Sequence, residues 1–191
     1  MNNDILDADI LEQPPQYSNY AGFWERFAAA FIDGIILFVA GQLVMGAFGI
    51  NFIDMFQSAS KGIDPVELFG SKYYMASIVS LIINWYYFAQ QESSEHQATL
   101  GKRALGLVVT DLLGHRLSFG QASLRFVMKQ LITFISLAGA VLNSPSLLSS
   151  LTFLAVMGYL IQPFTPRKQA FHDLVAKTLV YNKLPKVQSP I

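Results

Sequence analysis

Two charged side chains interrupt an apolar run near the start of the chain. Arg26 and Asp33 lie in WERFAAAFIDGIILFVAGQLVMGAFGI, Trp24 to Ile50, which is apolar from Phe27 onward with Asp33 and Gln42 as its main polar interruptions. A carboxylate inside hydrocarbon costs at least ~2.5 kcal/mol on insertion scales, so such a residue faces protein or water and is a functional candidate by default. Burial raises a carboxylate's pKa and lets it alternate between a proton and a cation, whereas a neighbouring guanidinium keeps it ionised and makes the pair structural. Seven residues at roughly 100° each return Arg26 and Asp33 to nearly the same helix face, about 10 Å apart along the axis. A direct or water-bridged pair therefore needs the long arginine stem to reach inward.

A third acidic candidate, Asp173, follows His172 in RKQAFHDLVAKTLVY, Arg167 to Tyr181. It can cap a short helix or pair with Lys102, Arg103 or Arg125, and a structural clamp is preferred over direct ion handling. Glu92, Glu95 and His96, with His115 and His172, offer carboxylate and imidazole groups for a metal, but their spacing matches no ligand pattern and a hydrated surface is the preferred reading. The serines lack a nucleophile-elbow context, and Gly101-Lys102-Arg103 follows no glycine-rich phosphate loop. No enzyme, metal or cofactor is expected. The net charge of +0 gives no bulk electrostatic case for nucleic acid, and the absence of cysteine excludes disulfides and thiol chemistry.

Positioning these residues requires a membrane. The chain is 52% apolar and 14% charged, well under the roughly 25% charge of soluble domains. About 20 apolar residues cross the hydrocarbon as a helix, and four runs qualify: about 26–48, 73–89, 124–142 and 147–163. The second is bracketed by Tyr73-Tyr74 and Trp85-Tyr86-Tyr87, an interfacial aromatic signature. The last two are separated by Asn143-Ser144-Pro145-Ser146, because one helix through both would be about twice the bilayer thickness. The fold class expected is an all-α, four-transmembrane-helix bundle.

With four spans, nearly all basic residues share one side, leaving Lys61 and Lys72 opposite; the positive-inside rule then puts both termini in the cytoplasm. Basic groups at the inner ends suit anionic headgroups. Residues 1–20, with Asp4, Asp7, Asp9, Glu12 and Pro14-Pro15, read as a disordered acidic tail, residues 21–182 as the membrane domain and 183–191 as a C-terminal tail. The segment 51–72 has room for a short interfacial helix. Leu105 to Thr110 and Arg116 to Phe119 flank Gly114 as a small cytoplasmic β-hairpin, with Thr178 to Tyr181 a candidate third strand after a short interfacial helix around Phe171, Leu174 and Val175.

Three boxes in this order resemble the RDD family of small integral membrane proteins. Arg26, Ala29 and Ile32-Asp33 are similar to its opening pattern, Thr99-Leu100-Gly101-Lys102-Arg103 to its threonine, glycine and lysine box, and Gln169, His172-Asp173 and Thr178 to its closing box. The name residues would be Arg26, Asp33 and Asp173. Lys177 stands where a small residue is more usual. The resemblance implies a protein of the bacterial cytoplasmic (inner) membrane that works either in transport, with a monovalent cation or proton exchanged at an intramembrane Arg/Asp pair, or as an accessory, assembly or scaffold subunit. Beyond the lipid bilayer, the expected partners are copies of itself or another membrane protein.

Overall fold

A computed structural model describes residues 17–131 and 162–183. The described part is mostly helical with one small sheet. Strand β1 (Tyr17–Tyr20) leads through Ala21-Gly22 into helix α1 (Phe23–Ala47). Glu25 starts that helix by reaching back to accept from the Gly22 N–H at 2.7 Å, satisfying a donor that a helix N-terminus otherwise leaves orphaned. Among the described residues, α1 is the one helix long and apolar enough to cross a membrane. Its Phe27, Phe31, Ile35, Phe38 and Leu43 are each more than half exposed and give the helix an apolar outer face. Ala29 and Asp33 are its buried residues.

The turn-rich segment that follows holds two short helices, α2 (Phe52–Ser60) and α3 (Pro65–Phe69). Helix α4 (Ser71–Glu92) contains the run expected to be the second span. Tyr74, Met75, Ile78, Ile82 and Tyr86 recur at helical spacing on its exposed face, while Ala76, Ala89 and Glu92 are buried.

The cytoplasmic hairpin expected from the sequence is corrected in its partner. Strand β2 (Leu107–Asp111) forms, and the turn at Gly114 forms with it: the Asp111 carboxylate accepts the Leu113 and His115 N–H groups at 2.8 Å each. The second arm does not form, because Ser118 caps helix α6 (Phe119–Lys129), accepting from the Gln121 N–H while the Gln121 side chain accepts from Ser118 N–H. That capping box turns the chain into a helix where a strand was expected. Strand β2 instead pairs antiparallel with β3 (Thr178–Lys183), the strand proposed as a third edge. Strand β1 covers the other side of β3, giving the order β1-β3-β2. The last four residues of the segment read as a tail are thus part of the sheet, with Tyr20 stacked on Tyr181 at 5.0 Å between ring centroids.

Residues 124–129 of the span expected at 124–142 belong to α6, whose amphipathic face buries Ala122, Arg125 and Phe126. The rest of it, from 132, and nearly all of the fourth span at 147–163 lie outside the described residues.

An internal correspondence relates two parts of the layer that holds the sheet. Gln97 and Lys168 both have positive φ, 52° and 50°. Each precedes an N-cap residue, Thr99 or Ala170, and a five-residue helix, α5 (Leu100–Ala104) or α7 (Phe171–Val175). Each helix ends in a left-handed residue, Gly106 at φ 66° or Lys177 at φ 53°, and passes into β2 or β3. In the ladder Leu107 faces Asn182, Asp111 faces Thr178 and Val109 faces Val180 at the centre. The two units therefore exchange places about a local two-fold axis through the Val109–Val180 pair. Beneath them Ala21, Ala29, Ala89, Leu107, Val109, Leu117, Ala122 and Val180 form one buried cluster that joins the sheet to α1, α4 and the start of α6.

Candidate functional site

Small residues near the N-terminal end of α1 let another backbone approach. Gly101 lies so close that a Cβ there would collide with the Ala29 carbonyl oxygen and stand 2.9 Å from Asp33 Cγ. The missing side chain brings the Gly101 N–H to 2.8 Å from Asp33 Oδ1, which also accepts from the Tyr87 hydroxyl at 2.7 Å. Asp33 Oδ2 accepts from Thr99 Oγ1 at 2.6 Å. Thr99 also caps α5 by accepting from the Lys102 N–H. Asp33 is thus the anchor for the N-terminus of α5, and it is 2% exposed.

Arg26 turns elsewhere. Its Nη1 donates to Asp173 Oδ2, and among the described residues no ion pair joins it to Asp33. Asp173 is fully buried on α7 and accepts from three directions: Arg26, Arg125 Nη2 at 2.5 Å, and the Ala170 N–H at 3.1 Å, which it caps. Both roles foreseen for Asp173 occur together, with Arg125 as partner and with Arg26 in place of Lys102 or Arg103.

The second carboxylate of this network is Glu92, at the end of α4 and 1% exposed. Lys102 Nζ lies 2.5 Å and Lys129 Nζ 3.2 Å from its Oε1, and Arg125 Nη1 3.3 Å from its Oε2. Arg125 thereby bridges Glu92 and Asp173, and Lys129 also sits 4.7 Å above the Phe88 ring, a favourable cation–π placement. This corrects the reading of Glu92 as part of a hydrated surface; its neighbours Glu95 and His96 are exposed. The sequence signal was present but diffuse. Four basic residues from three elements converge with Glu92 and Asp173, and no single stretch reveals that convergence. Arg26-Phe27 and Arg125-Phe126, each near the inner end of an expected span, are the one local echo.

Burial shapes the ionisation here. It pushes the Lys102 ammonium down to about 7 against the opposing attraction of Glu92. Burial likewise pushes His172 down to about 3, opposed by adjacent Asp173, so the imidazole is neutral at pH 7. For Asp173 burial acts upward, but Arg125, His172, Arg26 and the Ala170 N–H outweigh it and hold the carboxyl well below its usual range. Because His172 is neutral at pH 7, the two guanidinium groups supply the positive charge there.

The remaining candidates are placed as follows. Gln169 is buried and its Nε2 donates to the Thr178 carbonyl at 2.9 Å, bracing α7 against β3. Arg103 is exposed and outside the network. Lys177 is exposed and left-handed, a conformation that costs a side chain about 1–2 kcal/mol and that glycine adopts freely. Between α1, α4, α6 and α7 lies a cavity of about 310 Å³, with Arg26, Asp33, Lys102, Arg125, Lys129 and His172 among its polar walls and Phe23, Phe27, Phe88 and Phe126 among its apolar ones.

A largely helical chain with a lipid-type apolar helix, whose Arg, Asp and closing His-Asp boxes meet in one buried network, defines a membrane protein. The chain belongs to the RDD family, whose family model matches residues 20–177. It is 29% identical over 171 residues to the "Uncharacterized protein YxaI" of Bacillus subtilis (strain 168), covering 85% of this chain and 97% of that one. It is also similar to the "Uncharacterized membrane protein YteJ" of the same organism, 26% identical over 165 residues, 86% of this chain and 82% of the relative. No solved structure matches.

Proposed function

We propose that this RDD protein is a non-enzymatic, four-span protein of the bacterial cytoplasmic membrane, with both termini inside, that serves as an accessory or scaffold subunit of a membrane complex. One observation carries this reading. Asp33, Glu92 and Asp173, the three buried carboxylates among the described residues, are all engaged in fastening separate elements to one another. Asp33 pins α5 to α1, Glu92 ties α4 to α5 and α6, and Asp173 ties α7 to α1 and α6. A network whose members are occupied in this way rigidifies and specifies an arrangement, and a rigid cytoplasmic layer suits docking. The cavity beside it is bordered by Arg26, Lys102, Arg125 and Lys129 against the one carboxylate of Asp33, an unfavourable place for a free cation.

Transport is the second reading. Two features favour it: the local two-fold relation of the cytoplasmic units, since many transporters are built from repeats, and a Lys102 ammonium held close to neutrality. Extraction in mild detergent followed by affinity capture separates the two. The accessory role predicts a stoichiometric membrane-protein partner, together with unaltered cation-driven proton movement in vesicles carrying Asp33→Asn. Recovery as a homo-oligomer alone, with exchange activity that Asp33→Asn abolishes, would favour cation/proton exchange instead.

A further inference from the structure

Among the described residues, four cations gather around two of the buried carboxylates. Arg26, Lys102, Arg125 and Lys129 surround Glu92 and Asp173, and Asp33 is occupied by hydroxyl and backbone donors. His172 contributes no negative charge in either of its protonation states.

Arg26 carries an unused edge. Only its Nη1 is used, on Asp173, while Nε and Nη2 are buried and have no hydrogen-bond partner. These two nitrogens form one edge of the guanidinium, the fork that binds two oxygens of a carboxylate or phosphate side by side. A buried donor without a partner costs about 1–3 kcal/mol, more when charged, so an unfilled fork at the wall of a cavity is a site held ready. Arg26 lines the cavity of about 310 Å³, a size at the lower end of small-ligand pockets. Phe23, Phe27, Phe88 and Phe126 supply apolar walls beside the basic ones, and Phe27 is more than half exposed on the apolar side of α1. A ligand with an anionic phosphate and an apolar remainder matches both kinds of wall.

We propose that the cavity binds a phosphate oxyanion on the free edge of Arg26, with Lys102, Arg125 and Lys129 setting the positive field around it. The phosphate can come from a lipid headgroup entering beside Phe27 or from a free phosphate in the cytosol. This site stands apart from the accessory reading, because it requires neither a partner protein nor transport.

The full chain, delipidated in detergent, would be titrated with inorganic phosphate, using chloride at equal ionic strength as the control, and its melting temperature followed. In parallel, lipid retained from phosphatidylcholine vesicles with and without phosphatidylglycerol would be identified by native mass spectrometry. Saturable stabilisation by phosphate over chloride supports the proposal and assigns a free phosphate. Selective retention of phosphatidylglycerol supports it and assigns a headgroup. Arg26→Lys keeps the charge facing Asp173 but removes the fork, and should weaken whichever ligand binds by at least about tenfold, roughly 1.4 kcal/mol. Phosphate no better than chloride together with no preferred lipid would overturn the site, as would binding unchanged in a folded Arg26→Lys protein. Should Arg26→Lys not fold, the two wild-type measurements decide alone.

Discussion

His172 shows how a single buried side chain sets a pH limit. In the unfolded chain an imidazole titrates near 6.5, but burial holds this one down to about 3 in the folded protein. Between those values the unfolded state binds a proton that the folded state refuses, so stability falls as pH drops through that window and is flat above it. Asp173 acts in the same direction but only at lower pH, because its folded pKa is depressed and its contribution is lost below the ordinary aspartate value near 3.9. The melting temperature in detergent should therefore decline from pH 7 to pH 5, and His172→Gln should flatten that decline; a pH-independent wild type would contradict the burial of a neutral imidazole. The sequence made His172 and Asp173 visible as a box but gave no sign of how deeply each is buried. Arg26 and Asp33 were visible for the opposite reason, since charge in an apolar run stands out. Their helical phase suggested a pair, and what it could not contain was the competition from elements far along the chain: Asp173 takes the guanidinium, while Gly101, Thr99 and Tyr87 take the carboxylate.

At the level of elements, periodicity and interfacial aromatics located α1 and α4, and Gly114 with Asp111 located a turn. The errors arose where local signals competed. Arg116 to Phe119 has the composition of a strand end, yet Ser118 and Gln121 form a capping box that commits the next residues to α6. Tyr17–Tyr20 follows an acidic, proline-containing stretch and was absorbed into it, although β3 offers it an edge to pair with. The two-fold relation is not legible in the sequence because it resides in backbone angles; Gly106 and Lys177 share a conformation without sharing chemistry. The lack of cysteine makes element placement easy to test. Single cysteines at Lys61, just past α2, and at His115, in the exposed β2–α6 turn, lie on opposite sides of the membrane in the four-span arrangement. A membrane-impermeant maleimide should label Lys61→Cys in intact cells and His115→Cys only after lysis, whereas labelling of both from outside would refute that arrangement.

For the whole molecule, the buried charges connect five helices that hydrophobic packing alone would not orient. Apolar faces such as those exposed on α1 and α4 fix neither rotation nor depth, so phase and depth must come from elsewhere. Glu92 and Asp173, with the cations around them, supply that specification where the helices meet the sheet. Removing one member of such a buried pair leaves its partner charged and unsatisfied, which costs about 3–5 kcal/mol, so single substitutions report loss without proving linkage. A double-mutant cycle isolates the linkage. Arg26→Gln, Asp173→Asn and the double variant, compared by unfolding in the same detergent, measure the coupling between the first box and the last. If these residues act as one clamp, the coupling should be favourable by about 0.5–3 kcal/mol, the double variant losing less than the sum of the singles; strictly additive losses would show that the two boxes stand side by side without holding each other.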